Sequence, residues 1–401
     1  MPPAKYVYLL LFACVACAPP ASAQYDVEEE DRVWIRALLD LRLAEGGSAP
    51  SWTDHGPGKT RYGGRSTGTG FERVTRVTLA QLAIEAGATL PSDIRAEIQV
   101  NVQPDIAEGH TPWLVEALLR KEWGGHENGF GLQAGVMNIP FSLEHIGSAW
   151  SPEFTLSASA LNSWLWEEFS LAGVEAEWWH DTEHGLRLGA LAGAGFGPDT
   201  FGRVLALRGF TMGDGLGGLN GDLALPNGTR TDIFDERDDR PAAYTWLTLG
   251  DVAERATFRI GYLDNLGDQS EPGVWHTRIG TAGVTLRPHP RIDVVVQYLD
   301  GKARVREPAN DSDLRAFYAM ISHRYKQHRL SVRYDEFRID DIDGGNPTSE
   351  EGDGVTAAWF YQWGLRHQVG LEHTWLDSRR PRGAADELSS DGWQLSYRFR
   401  Y

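Results

Sequence analysis

Charged residues at even spacing carry the chemistry this sequence offers. Arg36, Arg42, Arg95, Arg120 and Arg187 each sit among alternating apolar and polar residues. Alternation puts every second side chain on one face of a strand, so these arginines predict a row of cations on the polar faces of early strands. Glu144 and His145 stand together in a segment with no Lys or Arg between Asn138 and Trp166. Guanidinium groups facing an acidic segment across a confined space set up a transverse field, which aligns dipolar solutes and disfavours apolar ones. A few charges at a low-dielectric constriction outweigh many outside it. That is selection by field and radius, with no bond made or broken. The same residues have a plainer use as ion pairs tying a loop to a wall, and Glu144 has one as an acceptor for backbone N–H groups.

Other chemistry finds little support. There is no His-Glu-x-x-His, the spacing that would place a metal-bound water. Catalytic residues are therefore not expected. The only cysteines, Cys14 and Cys17, lie in an amino-terminal segment expected to be removed, which leaves no disulfide or thiolate site. A net charge of −18 disfavours nucleic acid as a partner. The segment 195–241 carries Asp232, Asp235, Glu236, Asp238 and Asp239, and 339–353 carries Asp340, Asp341, Asp343, Glu350, Glu351 and Asp353. Hard oxygen clusters can bind Ca²⁺, but neither run has the spacing of a full calcium loop. A solvated acidic rim is the expected reading, with no metal and no cofactor.

The elements that position these residues read as strands. Period-two alternation marks sixteen, near 33–43, 73–87, 94–103, 113–123, 129–137, 167–179, 185–194, 242–249, 255–263, 274–286, 291–299, 313–324, 328–338, 354–363, 367–377 and 391–401. In the third, Ile94, Ala96, Ile98, Val100 and Val102 oppose Arg95, Glu97, Gln99 and Asn101. In the second, Ala80, Leu82, Ile84 and Ala86 are expected to share one face. Long connections (44–70, 104–112, 138–166, 195–241, 264–273, 300–312, 339–353, 378–390) alternate with short ones. A closed transmembrane antiparallel β-barrel has this rhythm, with both termini at the short-turn, periplasmic end. A secreted sandwich has no reason for it. The segment 203–211 is also strand-like, which leaves eighteen strands as the alternative.

Mean hydropathy is −0.37, a value that barrels share with soluble proteins because only alternate residues face lipid. Residues 1–23 read as a secretory signal peptide: Lys5, a short apolar run from Val7 to Val15, and Ala21-Ser22-Ala23 before Gln24. The barrel domain is then 24–401. The chain closes on Trp393, Leu395, Tyr397, Phe399 and Tyr401 at alternate positions, a pattern that resembles the signal read by the outer-membrane insertion machinery. Trp113, Trp123, Trp178, Tyr298, Tyr334 and Trp375 are expected in aromatic girdles. Trp34 and Trp179 are the candidates for lumen-facing stacking.

The fifth strand runs through Gly135 into Pro140-Phe141-Ser142-Leu143-Glu144. With the stretch from Ser157 to Trp164, Glu167-Glu168, and Asp238-Asp239-Arg240-Pro241, it resembles the strand-to-loop signature of the phosphate-selective porin O/P superfamily. The resemblance implies a sixteen-stranded, trimeric diffusion porin of a Gram-negative outer membrane. It also implies a loop after the fifth strand, here 138–166, that folds inward as the constriction. Phosphate selectivity does not carry over, because the loop lacks the basic run that it needs. The partners implied are outer-membrane lipids, lipopolysaccharide, the insertion machinery, small solutes or ions and a homotrimer. Two other readings stay open: a structural or receptor barrel plugged by 195–241, and a barrel enzyme.

Overall fold

The structure is a computed structural model describing residues 32–401 except 48, 107–111, 227, 308, 344–348 and 381–386. The expected signal segment, with Cys14 and Cys17, lies outside the described residues. Alternating sequence becomes sixteen antiparallel strands: β1 (Val33–Gly46), β2 (Val74–Leu90), β3 (Ile94–Val102), β4 (Trp113–Gly124), β5 (Asn128–Met137), β6 (Leu171–Asp181), β7 (Leu186–Phe196) and β8 (Ala242–Asp251). There follow β9 (Ala256–Asp264), β10 (Trp275–His289), β11 (Ile292–Val305), β12 (Asn310–Tyr325), β13 (His328–Asp341), β14 (Glu350–Trp363), β15 (His367–Arg379) and β16 (Glu387–Arg400). Each pairs with its sequence neighbour, and β1 pairs with β16 from Leu38↔Arg400 to Gly46↔Gly392, which closes the barrel. Closure leaves no strand edge unpaired.

The outer wall is apolar along the alternating positions. Ile98, Val332 and Leu395 are 45%, 51% and 42% exposed, too much contiguous apolar surface for water alone to face. Among the described residues no helix is long and apolar enough to cross a membrane, which has no bearing on crossing by strands. Near the carboxy-terminus, Trp393, Leu395 and Tyr401 are exposed on the outer surface. Trp34 and Trp179 face inward and lie over glycines of neighbouring strands, Gly87 and Gly129, where any Cβ would collide with the indole rings.

Four expectations are corrected. The strand-like segment 203–211 forms a short helix, α2 (Arg203–Arg208), preceded by α1 (Ala160–Glu168) in the earlier loop. Gly202 and Gly209 bracket α2 at φ 106° and 81°, conformations that only glycine adopts cheaply. The barrel therefore has sixteen strands, not eighteen. α1 also takes the first residues expected of β6, because Ser159 caps it through its side chain. A bulge at Asp40/Leu41 leaves Ala80 as an extra residue of β2, so it turns inward with Gln81 instead of sharing a face with Leu82. A second bulge, at Gln99/Val100, sets Trp113 opposite inward-facing Asn101, and Trp113 is fully buried beside Trp52 and Ile106 rather than in a girdle.

Ile98 sits at the centre of β3 on the outer face. Ile98→Arg is expected to destabilise the barrel folded in lipid vesicles by about 2–4 kcal/mol, the cost of a cation at mid-bilayer, while Ile98→Leu changes its stability little. Urea titration of refolded protein in vesicles reads both.

Candidate functional site inside the barrel

The inner wall has two unlike halves, and this places every side chain of the site. On β8–β12 many inward positions are apolar, and Trp246, Ile279, Val295, Leu299, Leu314 and Tyr318 are all at most 5% exposed, with Gln297, Thr277 and Ser312 buried among them. On β13–β16 and β1–β3 more of them are polar, among them Arg333, Asp335, Glu372, Arg398, Asp40, Arg42 and Gln99, beside apolar Phe337, Ile339, Phe360 and Leu376.

The loops 138–170 and 197–241 fold into the lumen and dock on the apolar half. Phe141 stacks on Trp246 of β8 at 4.8 Å. Trp164 of α1 lies flat on Phe201 at 4.7 Å, and Phe169 meets Phe201 edge-on at 4.9 Å. These side chains form one cluster with the wall residues. Each fully buried ring or aliphatic chain contributes about 1.5–3 kcal/mol, and Gln297 of β11 adds hydrogen bonds to the Phe141 carbonyl at 2.7 Å and to Asn162 at 3.2 Å.

Across the polar half the contacts are ionic. Asp214, from the second loop, receives Arg42 of β1 and Arg61 of loop 47–73, each at 2.7 Å. Arg61 also reaches Asp105 at 2.6 Å, and Asp40 binds both Arg42 and Arg398 at 2.8 Å. A second group centres on Arg333 of β13, which donates to Glu144 at 2.9 Å, to Asp335 at 2.7 Å and to the Ser157 carbonyl at 2.7 Å. Glu372 of β15 accepts from the Ser157 amide and hydroxyl. Lys59 pairs with Glu350, and Arg208 with Glu167. Breaking one partner out of such a buried pair typically costs about 3–5 kcal/mol, because the other charge is left desolvated.

Burial pushes the Asp214 carboxyl upward, but Arg42 and Arg61 outweigh it and hold it below the ordinary carboxylate value. Burial lowers His145 to about 3, so its ring is neutral; it hydrogen-bonds the Ser142 hydroxyl and stacks on Trp166 at 4.9 Å. Burial likewise brings Lys59 down to about 8, with Glu350 opposing. Burial raises Glu168 to about 7, although it accepts from Trp164 Nε1 at 2.6 Å and the Val204 amide at 2.9 Å.

The residues singled out by sequence fall in three places. Glu144 and His145 are both 1% exposed inside the first loop. Glu144 accepts from the Ser159 amide at 3.0 Å and from Asn162 at 2.7 Å, in addition to Arg333. Arg42 belongs to the Asp214 group. Arg36, Arg95, Arg120 and Arg187 lie toward the short-turn end, outside the packed loops. There Arg36 covers the Trp34 ring, Arg120 pairs with Glu177 at 3.1 Å and Glu122 at 2.8 Å, and Arg187 pairs with Asp181 at 2.7 Å. Gly135, at φ 143°, brings its backbone against the Ala117 carbonyl, where a Cβ would collide, just before the loop turns inward at Pro140. Sequence reasoning missed Lys59, Arg61, Asp105 and Asp214. They lie in irregular segments, where periodicity assigns no face.

No protein-family model matches the sequence, and no curated protein does. Solved structures share the fold. The anion-selective porin of Comamonas acidovorans matches with a TM-score of 0.57 at 9% identity, covering 92% of this chain and 99% of that one. The outer-membrane channel DcaP of Acinetobacter baumannii gives 0.56 at 10% identity, covering 92% and 97%. In-vitro folded OmpT of Vibrio cholerae, in a trimer form, gives 0.51 at 10% identity, covering 92% and 100%. At such identity the likeness shows the barrel fold alone.

Glu168 titrates higher in the docked loop than its ordinary value of 4.5. Docking is then fully favoured below pH 4.5, and that contribution is lost as pH rises through about 7. Hydrogen exchange at Val204, corrected for the intrinsic rate, is expected to show more opening at pH 8 than at pH 5. Glu168→Gln is expected to remove most of that difference.

Proposed function

We propose that this chain is an outer-membrane channel of the porin type, passing small hydrophilic solutes or ions by diffusion, and that the conformation described is its narrow state. The observation that carries this reading is the polar half of the inner wall and its ionic contact with the loops. A lumen sealed permanently is better filled with apolar groups, since a buried ion pair is often no more stabilising than packed hydrophobic residues of similar volume. Here the contact that parts first is charged on both sides. Asp214, Arg42, Arg61 and Asp40 all regain water when it opens, while Phe141 and Trp164 keep the loops on the apolar half.

On this reading the passage runs beside β13–β16 and β1–β3. Arg36, Arg95, Arg120 and Arg187, with Glu97 and Glu177, line its vestibule at the short-turn end. That end is periplasmic, a leader at 1–23 directs export, and no catalysis is involved. The Pro140-Phe141-Ser142-Leu143-Glu144 motif supports kinship with the phosphate-selective porin O/P superfamily. The net charge of −18 and the acidic loops favour cations over anions. A homotrimer is proposed from the resemblance and from the trimer form of the Vibrio cholerae neighbour. The near-complete burial of residues such as Phe201, Leu205 and Phe210 favours a second reading, a barrel plugged for good.

Planar-bilayer recording under a KCl gradient separates the two. Wild type is expected to give small steps reversing on the cation side, and Asp214→Asn larger or longer ones. Silence in both, from protein shown to be folded and inserted, favours the permanent plug.

A further inference from the structure

The second lumen loop leaves β7 and returns to β8 through a narrow neck. Its two sides are joined by backbone hydrogen bonds, Asp235 N to Gly197 O at 2.7 Å and Asp199 N to Asp235 O at 3.2 Å. At this neck carboxylate oxygens of Asp199, Glu236 and Asp238 lie within 4.8 Å of one another. Asp199 is 1% exposed. Its Oδ2 accepts from the amides of Arg237 at 2.5 Å and Asp238 at 3.1 Å, and Glu236 Oε2 accepts from the Gly197 amide at 2.8 Å. These bonds fix how both carboxylates point. The other oxygens, Asp199 Oδ1 and Glu236 Oε1, are buried and have no hydrogen-bond donor among the described residues. The nearby guanidinium of Arg237 is directed to Asp235 instead. Three like charges therefore converge around two acceptors that a folded protein ordinarily satisfies.

We propose that Asp199, Glu236 and Asp238 form a divalent-cation site of the calcium class that staples the two ends of the lumen-filling loop together. The donors are all hard oxygens, with no imidazole or thiolate, which suits Ca²⁺ over zinc. Their irregular, loop-borne placement suits the flexible shell of Ca²⁺ better than the strict octahedron of Mg²⁺. Glu236 and Asp238 are partly exposed, so an ion and its remaining waters enter from their side. Asp238 also accepts from the Asp268 amide at 2.5 Å, which extends the staple to the β9–β10 loop. The site departs from the solvated rim that sequence spacing suggests, because Asp199 lies far from the acidic run in sequence. It rests on the geometry of the neck and not on the channel reading.

The test is calorimetric titration of CaCl₂ into the refolded, chelator-treated protein at neutral pH in 0.15 M NaCl, with MgCl₂ in parallel. One saturable Ca²⁺ site per chain is expected, with Kd below about 1 mM and Mg²⁺ binding more weakly. Asp199→Asn and Glu236→Gln, shown to be folded by heat-modifiable gel migration, are each expected to weaken binding at least about tenfold. Asp340→Asn, near the end of β13, leaves it unchanged. No saturable Ca²⁺ binding by wild type, or binding untouched by Glu236→Gln, overturns the site.

Discussion

Asp214 joins the barrel wall to the loops that fill it. Its carboxylate meets Arg42 of β1 and Arg61 of loop 47–73 at 2.7 Å each, with almost no water at any of the three. Desolvated charges in this arrangement are strongly coupled, so losing one leaves the others unpaired at a cost of several kcal/mol. The apolar docking on β8–β12 is different in kind, since it weakens gradually with lost area. The lumen is thus held by two mechanisms. One is broad and apolar; the other is compact and ionic and ties the second loop to Arg42 of the wall.

That division explains features that otherwise look unrelated. The polar inner positions of β13–β16 and β1–β3 are costly to bury, and the loops meet Arg42, Arg333 and Glu372 with a counter-charge or backbone groups. Arg333 alone is shared among Glu144, Asp335 and a carbonyl. Glycine serves the same end where loops and wall meet closely, as Gly135 does at the turn into the first loop. A calcium-class staple at Asp199, Glu236 and Asp238 would hold the neck of the second loop while leaving its Asp214 end free to part from the wall.

The strands were legible in the sequence because a two-residue period shows without knowledge of the register. All sixteen were located, and Ile98, Val332 and Leu395 face outward as alternation requires. The exceptions have local causes. Bulges at Asp40/Leu41 and Gln99/Val100 insert one residue each and reverse the facing of Ala80 and Trp113, and a bulge leaves no mark in an alternating pattern. α2 was read as a strand because its six residues are too few to show a helical period, although the flanking Gly202 and Gly209 were the available signal. Within the site, Arg42 was visible as a polar-face residue of its strand. Asp214, which pairs with Arg42, and Arg61, which shares that carboxylate, come from loops distant in sequence, where spacing assigns neither face nor neighbour.

The central claim, that the lumen is closed by an ionic contact that can part, is tested most directly by water access to the packed loops. Ser163 is fully buried in α1, and the barrel domain has no cysteine of its own. Ser163→Cys, expressed from Gln24 onward and refolded, supplies a single thiol for a charged, membrane-impermeant thiosulfonate. The account predicts slow labelling in the otherwise unchanged protein and much faster labelling when Asp214→Asn is added. Rapid labelling in both would show a lumen already open to water. Equally slow labelling in both would show that Asp214 does not hold it shut.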